Sequence, residues 1–187
     1  MEALLGIGSA FGLSTSAGLN AYIPMLMVSI LCCVGWLDLS APFDVMESWW
    51  VIGILTVLLI VELFVDKIPA VDSVNDMVQT LVRPAAGALM FASQANIITD
   101  VNPIIAIVLG IMLAGGVHAT KATVRPVVTT ASVGTGNWAV SIFEDVIAFF
   151  VSLMAIIVPL LAAVCMVVFF ILAFRVYRKR KNKLSFS

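Results

Sequence analysis

Cysteine, histidine and charged residues are all scarce in this chain. Its 187 residues include three cysteines, one histidine, ten Lys and Arg, and eleven Asp and Glu. Cys32, Cys33 and Cys165 lie within apolar runs, with no CxxC pair and no histidine beside them. This arrangement argues against a disulfide framework and against a metal site. We therefore expect no metal and no other cofactor.

Sequence motifs of the common enzyme classes are also missing. The chain has no GxSxG, no Walker loop, no HExxH and no Rossmann glycine pattern. A membrane hydrolase could use Asp72, Asp76 and His118, but no sequence motif identifies a nucleophile for it. We therefore expect that the protein is not an enzyme. The net charge is −1 and only the C-terminal tail is basic, so nucleic acid is not an expected partner.

Apolar residues dominate what remains. They make up 62 % of the chain, and the mean hydropathy is +1.15, far above the values of soluble proteins. Long apolar runs predict an all-α integral membrane protein of one membrane domain. Six spans are expected: 3–34, 49–65, 84–98, 103–131, a fifth ending near 157 and a sixth ending near 174.

The first and fourth runs are longer than a membrane crossing requires, and they resemble each other. We therefore predict two inverted three-span repeats, 1–98 and 99–176, followed by a basic tail, 177–187. The first helix of each repeat should be broken, near 18–24 and near 115–120. At a shift of 98 residues, the matches are Gly12 with Gly110, Gly18 with Gly116, Ala21 with Ala119 and Asn20 with His118.

The connections between the six predicted spans alternate between segments with Lys and Arg and segments without them. All ten Lys and Arg lie in 66–83, 119–137 and the C-terminal residues 175–187, whereas 35–48, 99–103 and the turn at Pro159 have none. By the positive-inside rule, both termini should be cytoplasmic. We expect a multipass protein of a bacterial inner (plasma) membrane, in contact with membrane lipids; a homodimer is compatible with this plan.

The charges of the first half are concentrated between two apolar runs, in 62–84. From Asp72 the polar positions recur at the spacing of one helical face, and Pro69 and Pro84 flank the segment. The pattern predicts a short amphipathic or re-entrant helix near 70–83 that does not span.

Charged groups near membrane spans are costly and are therefore candidate functional groups. Lys121, Arg125, Arg83 and Lys67 would hold an anionic group, and the carboxylates and His118 would carry protons or cations. The candidate residues for substrate binding or coupling are Asn20, Tyr22, Glu62, Asp66, Asp72, Asp76, Gln79, Arg83, His118, Lys121, Arg125 and Glu144.

Four stretches carry a resemblance to a known family: GLNAYIPM (18–25), DKIPAVDSVNDMVQTLVRP (66–84), HATKATVRPVVTT (118–130) and IFEDV (142–146). They resemble a family of small bacterial and plastid-type multipass membrane proteins catalogued as a domain of unknown function. The resemblance implies a multipass membrane protein and no particular activity. The plan of inverted halves is also similar to that of the DedA-type lipid-phosphate carriers, as an analogy of fold alone.

The sequence predicts a membrane transporter. It would move a small polar, anionic or amphipathic substrate through a central charged cavity by alternating access. Transport could be coupled to the movement of protons or ions. Three alternatives stay open: a lipid-phosphate carrier resembling a flippase, a divalent-cation transporter that uses the carboxylates as oxygen ligands, and a non-transporting membrane scaffold.

Overall fold

The fold is known from a computed structural model, which describes residues 2–39, 41–65, 69–95, 102–132, 136–159, 168 and 175. Regular structure within these residues is entirely helical, which confirms the all-α prediction. A short 3-10 helix, Phe43–Glu47, precedes the third α-helix. The α-helices are α1 (Glu2–Leu19), α2 (Tyr22–Cys33), α3 (Trp49–Val65), α4 (Pro69–Ala95), α5 (Pro103–Ser132) and α6 (Gly136–Ile157).

The predicted break near 18–24 is present, and the chain reverses direction there. Val28 and Cys32 of α2 belong to the same apolar cluster as Leu13 of α1. In an uninterrupted helix, Leu13 and Val28 would lie about 22 Å apart. The helices α1 and α2 therefore form a hairpin whose tip is at Asn20.

Helix α1 lies at the centre of the molecule and packs against α4, α5 and α6. Ser14 donates a hydrogen bond to the Gly87 carbonyl of α4, and Ser16 donates one to the Ala148 carbonyl of α6. Small residues allow close approach: a Cβ on Gly18 would lie 2.6 Å from the Ala114 carbonyl oxygen of α5. Such interfaces are typical of helices packed in membranes.

Relative helix directions follow from these contacts. Ser9 of α1 binds the Ala155 carbonyl and Ser16 binds that of Ala148, so α6 runs antiparallel to α1. On α5, Ala106 clusters with Ala10 and Lys121 reaches the Leu19 carbonyl, so α5 runs parallel to α1. Inverted repeats require antiparallel first helices, and the inversion predicted from the sequence is not seen between α1 and α5.

The prediction of a short separate helix at 70–83 is wrong. Helix α4 continues from Pro69 through Pro84 to Ala95. A proline inside a helix removes one backbone donor, a cost of about 3 kcal/mol. Packing of α4 along α1 and α5 offsets that cost, and the sequence pattern does not reveal packing.

The second predicted break, near 115–120, is also wrong. Helix α5 continues from Pro103 to Ser132. Gly115 lies against Pro84 of α4, where an added Cβ would be 3.8 Å from the proline ring. Gly115 therefore faces α4 within an unbroken α5.

Among the described residues, polar and apolar side chains are distributed differently from those of a soluble protein. Its interior holds charged and polar side chains, including Arg83, Glu62 and Gln79, whereas large apolar side chains cover the outside. Two stretches, Pro103–Arg125 and Trp138–Ile157, are long and apolar enough to cross a membrane; α2 and α3 are shorter apolar helices. The larger count of six spans remains a prediction.

Candidate functional site

The tip of the hairpin is stabilised by Asn20, which is almost completely buried. Its Oδ1 accepts hydrogen bonds from the backbone N–H groups of Tyr22 (3.0 Å) and Ile23 (3.2 Å), the first orphan donors of α2. Its Nδ2 donates to Asp145 Oδ1 of α6 at 2.9 Å. One amide side chain thus satisfies the start of α2 and attaches the tip to α6.

Arg83 of α4 lies beside this tip with none of its surface exposed. Its Nη2 is 3.1 Å from Glu62 Oε1 of α3, and its Nη1 is 3.2 Å from His118 Nδ1 of α5. This guanidinium therefore connects three helices. Its Nε–H finds no acceptor among the residues that the structure describes.

The contact with Arg83 fixes the tautomer of His118. Since a guanidinium only donates, Nδ1 of the ring accepts from Arg83, and the hydrogen is carried on Nε2. That nitrogen donates to Thr80 Oγ1 at 3.1 Å. His118 is thus a neutral relay between Arg83 and Thr80, and a proton on Nδ1 would break the contact with Arg83.

A second ionic group lies between α5 and α6. Lys121 Nζ is 2.7 Å from Glu144 Oε2 and donates to the Leu19 carbonyl, the last residue of α1, at 3.4 Å. Arg125 Nη2 approaches the same Glu144 oxygen at 3.8 Å. Both cations are buried, as expected from their spacing of one helical turn on α5.

The two ionic groups form one cluster around the hairpin tip. Arg83 interacts electrostatically with both Lys121 and Glu144, and Tyr22 is hydrogen-bonded to Gln79 beside Glu62. Three cations (Arg83, Lys121, Arg125) accompany three carboxylates (Glu62, Glu144, Asp145). Buried charges are tolerated only when they are paired in this way.

Most of the residues selected from the sequence do meet. The structure brings together Asn20, Tyr22, Glu62, Gln79, Arg83, His118, Lys121, Arg125 and Glu144. Asp66 and Lys67 lie outside the described residues. Asp72 and Asp76 belong to α4, but their side chains are also outside that description. The described carboxylate partner of Lys121 and Arg125 is Glu144.

Sequence analysis missed Asp145 and Thr80. Asp145 follows Glu144 directly, and adjacent helical residues point in different directions, which hid its role. Its partner Asn20 is 125 positions away in the chain. The position of Thr80 one turn before Arg83, on the same helical face, was the available signal for its role.

Comparison with curated proteins and with solved structures finds no match. A family of proteins does match, over residues 7–179. These residues include every described member of the cluster and nearly the whole chain. The chain belongs to the family described as Domain of unknown function (DUF4126).

Proposed function

We propose that the protein is an integral membrane protein with five crossings and one re-entrant hairpin. Helices α3, α4, α5 and α6 and the apolar run 160–174 would cross, and α1–α2 would dip into the membrane. The support is the distribution of side chains: exposed ones on α3 and α6 include Trp50, Val57, Phe64 and Phe150, whereas charged ones such as Arg83 are buried. Large continuous apolar surfaces need a lipid or protein cover.

The positions of the tryptophans support the same proposal. Trp49 precedes Glu62 by about 20 Å of rise along α3, and Trp138 precedes Glu144 by about 9 Å along α6. Glu62 and Glu144 lie at one level because Arg83 interacts with both. The exposed tryptophans are therefore about 29 Å apart, near the thickness of a bilayer's hydrocarbon core, about 30 Å.

Within this frame, we infer that the protein transports a small anionic solute. One observation carries the inference: a fully buried arginine beside the tip of a broken helix, in contact with a buried carboxylate. Guanidinium groups bind carboxylates and phosphates through paired donors. Broken helices near the membrane interior are a recurring place for such sites.

The chemistry of the exchange follows from the contacts. Arg83 donates to Glu62 through one terminal nitrogen, and its Nε–H has no acceptor among the described residues. An anion that takes up the Nε–Nη2 edge would displace the Glu62 carboxylate. Glu62 would then be protonated by a hydronium ion from the side on which the anion enters, because a buried carboxylate without its cation is costly. Anion uptake would thus be coupled to uptake of a proton.

Proteoliposomes test the proposal with two probes, radiolabelled inorganic phosphate and radiolabelled acetate. We expect uptake of at least one above that of protein-free vesicles, increased when the outside is acidic. The control is the double variant Glu62→Gln with Arg83→Gln, which removes both charges together and should not transport. No uptake of either probe by the wild-type protein would overturn the anion proposal.

The other functions considered from the sequence correspond to distinct outcomes. Movement of a fluorescent short-chain phosphatidic acid, without phosphate uptake, would identify a lipid-phosphate carrier. Uptake of Mn²⁺ alone would identify a divalent-cation transporter. A folded protein that moves none of these probes would be the scaffold, with the ion pairs serving only to hold the helices together.

A further inference from the structure

The carbonyl end of α1 meets a carboxylate and an ammonium group at the tip of the hairpin. Leu19 ends α1, so its carbonyl has no partner within that helix. This oxygen carries the negative end of the α1 dipole. The Glu144 carboxylate of α6 lies on the other side of the Lys121 ammonium. A carbonyl oxygen and a carboxylate oxygen thus converge on one buried positive charge.

We propose that these oxygens form a monovalent-cation site. In the wild-type protein its cation is the Lys121 ammonium, which is covalently part of the chain. Carbonyl and carboxylate oxygens are the ligands that hard cations prefer, and freed carbonyls at broken helices bind such ions in transporters. Lys121 donates to the Leu19 carbonyl at 3.4 Å and lies 2.7 Å from Glu144 Oε2. The side chain is nearly buried, with 3 % exposed.

The neighbouring contacts favour this position for a cation. Asn20 is attached to Asp145, the residue after Glu144, which holds α6 against the tip. Arg125 is farther from Glu144, at 3.8 Å, than Lys121, at 2.7 Å. Lys121 is therefore the cation that bridges the two oxygens.

The role of this site rests on the proposed function. The Lys121 ammonium would leave the tip when a transported anion attracts it, and it would return when the anion departs. Opening of the hairpin would then require no coupling cation from solution, because Lys121 takes the place of one. The inference about the site itself requires only that a cation occupy the position between Leu19 and Glu144.

The test removes the Lys121 ammonium from the site by mutation and adds monovalent cations to the solution. Purified Lys121→Ala is heated in detergent with increasing NaCl or KCl, against choline chloride at equal ionic strength. We expect the unfolding temperature to be lower than that of the wild type and to rise by about 3–6 °C when Na⁺ or K⁺ reaches ten times its dissociation constant. Choline should produce no such rise, and the wild type should not distinguish the salts.

Two further variants separate this site from general effects of charge. Arg125→Ala removes a buried cation beside the same carboxylate and should not distinguish the salts. Lys121→Ala with Glu144→Gln removes the carboxylate ligand and should lose the response to Na⁺ and K⁺. A response that persists in this double variant, or equal responses to all three salts in Lys121→Ala, would overturn the proposal.

A poorly folding variant does not prevent the test. Lys121→Ser, whose hydroxyl adds a ligand oxygen, is then extracted in NaCl and in choline chloride, and the yield of monodisperse protein is compared. We expect at least a twofold higher yield in NaCl, and equal yields would overturn the proposal. Chloride is present at the same concentration with each of the three cations, so differences among the cations are independent of the uptake experiments.

Discussion

Asn20 makes two kinds of contact that a substitution can separate. Its oxygen caps α2 and its nitrogen donates to Asp145. Asn20→Asp retains the capping oxygen but places two carboxylates together, so we expect a loss of about 1–3 kcal/mol in the free energy of unfolding. Combination with Asp145→Asn restores an amide–carboxylate pair in the reverse sense and should recover most of the loss.

Chemical unfolding in detergent, followed by circular dichroism, provides these free energies. Asn20→Ala is the reference, since it removes both contacts and should remain destabilised when combined with Asp145→Asn. If the double variant Asn20→Asp with Asp145→Asn has no higher unfolding free energy than Asn20→Asp alone, the contact between the two side chains does not stabilise the hairpin tip.

The pair of Glu62 and Arg83 gives a second prediction for single residues. Arg83→Gln leaves the buried Glu62 carboxylate without its guanidinium, and we expect a loss of about 3–5 kcal/mol in unfolding free energy. The double variant with Glu62→Gln should lose less than the single variant. A double-mutant cycle measures this coupling; additive losses would mean that the two groups do not stabilise each other.

The residues that form the buried ionic cluster were largely predictable from the sequence, and their assignment to a functional site stays a prediction. Charges inside apolar runs are rare enough that Glu62, Arg83, Lys121 and Arg125 stood out individually. Their partners were not predictable, because pairing depends on the packing of distant helices. The contact between Lys121 and Leu19 even involves a backbone carbonyl, whose chemistry is the same at every position in the sequence.

Two glycines test how closely the helices must approach. An added Cβ on Gly110 of α5 would meet the Gly87 carbonyl and lie 2.6 Å from Ala88 Cα, whereas one on Gly53 of α3 would meet nothing within 4 Å. We expect Gly110→Ala to lower the unfolding free energy by about 1–3 kcal/mol. Gly53→Ala should raise it by up to about 1 kcal/mol, through helix propensity.

The comparison is matched because both glycines lie inside helices and gain the same methyl group. Thermal unfolding of the two variants in one detergent gives the order of stability. Equal stabilisation by the two substitutions would show that α4 and α5 are not in close contact at Gly87.

At the scale of elements, the sequence predicted best where composition alone determines the structure. The second predicted span, 49–65, coincides with α3 (Trp49–Val65), whose apolar run is uninterrupted. Proline and glycine were interpreted as helix ends at Pro84 and Gly115, yet α4 and α5 continue through both. Gly115 faces Pro84 across the interface between α5 and α4, and only the tertiary structure distinguishes such a position from a break.

The whole molecule gives a different prediction for one terminus. Helix α1 runs towards the charged cluster, and Gly8 near its start lies against Pro159, beyond the other end of α6. The start of α1 and the cluster are therefore at opposite ends. If the cluster lies on the cytoplasmic side, the start of α1 lies outside. The sequence-based expectation that both termini are cytoplasmic cannot hold together with that placement.

Single cysteines in a variant without the native ones test this topology with an impermeant maleimide on intact cells. We expect Glu2→Cys and Val45→Cys to react from outside and Ser185→Cys, in the basic tail, to react only after lysis. Such a pattern follows from five crossings and a re-entrant hairpin, with the positive charges inside. Protection of Glu2→Cys together with Ser185→Cys would instead support the even number of crossings.

The connection between Asn20 and Asp145 also has a consequence for synthesis at the ribosome. Asn20 emerges 125 residues before its partner, and Lys121 follows Leu19 by 102. The polar tip of the hairpin is thus synthesised long before the groups that neutralise it. Insertion of the hairpin is therefore expected to be a late event, after α6 has been translated, and the nascent first segment must wait at the membrane surface or beside the insertion machinery.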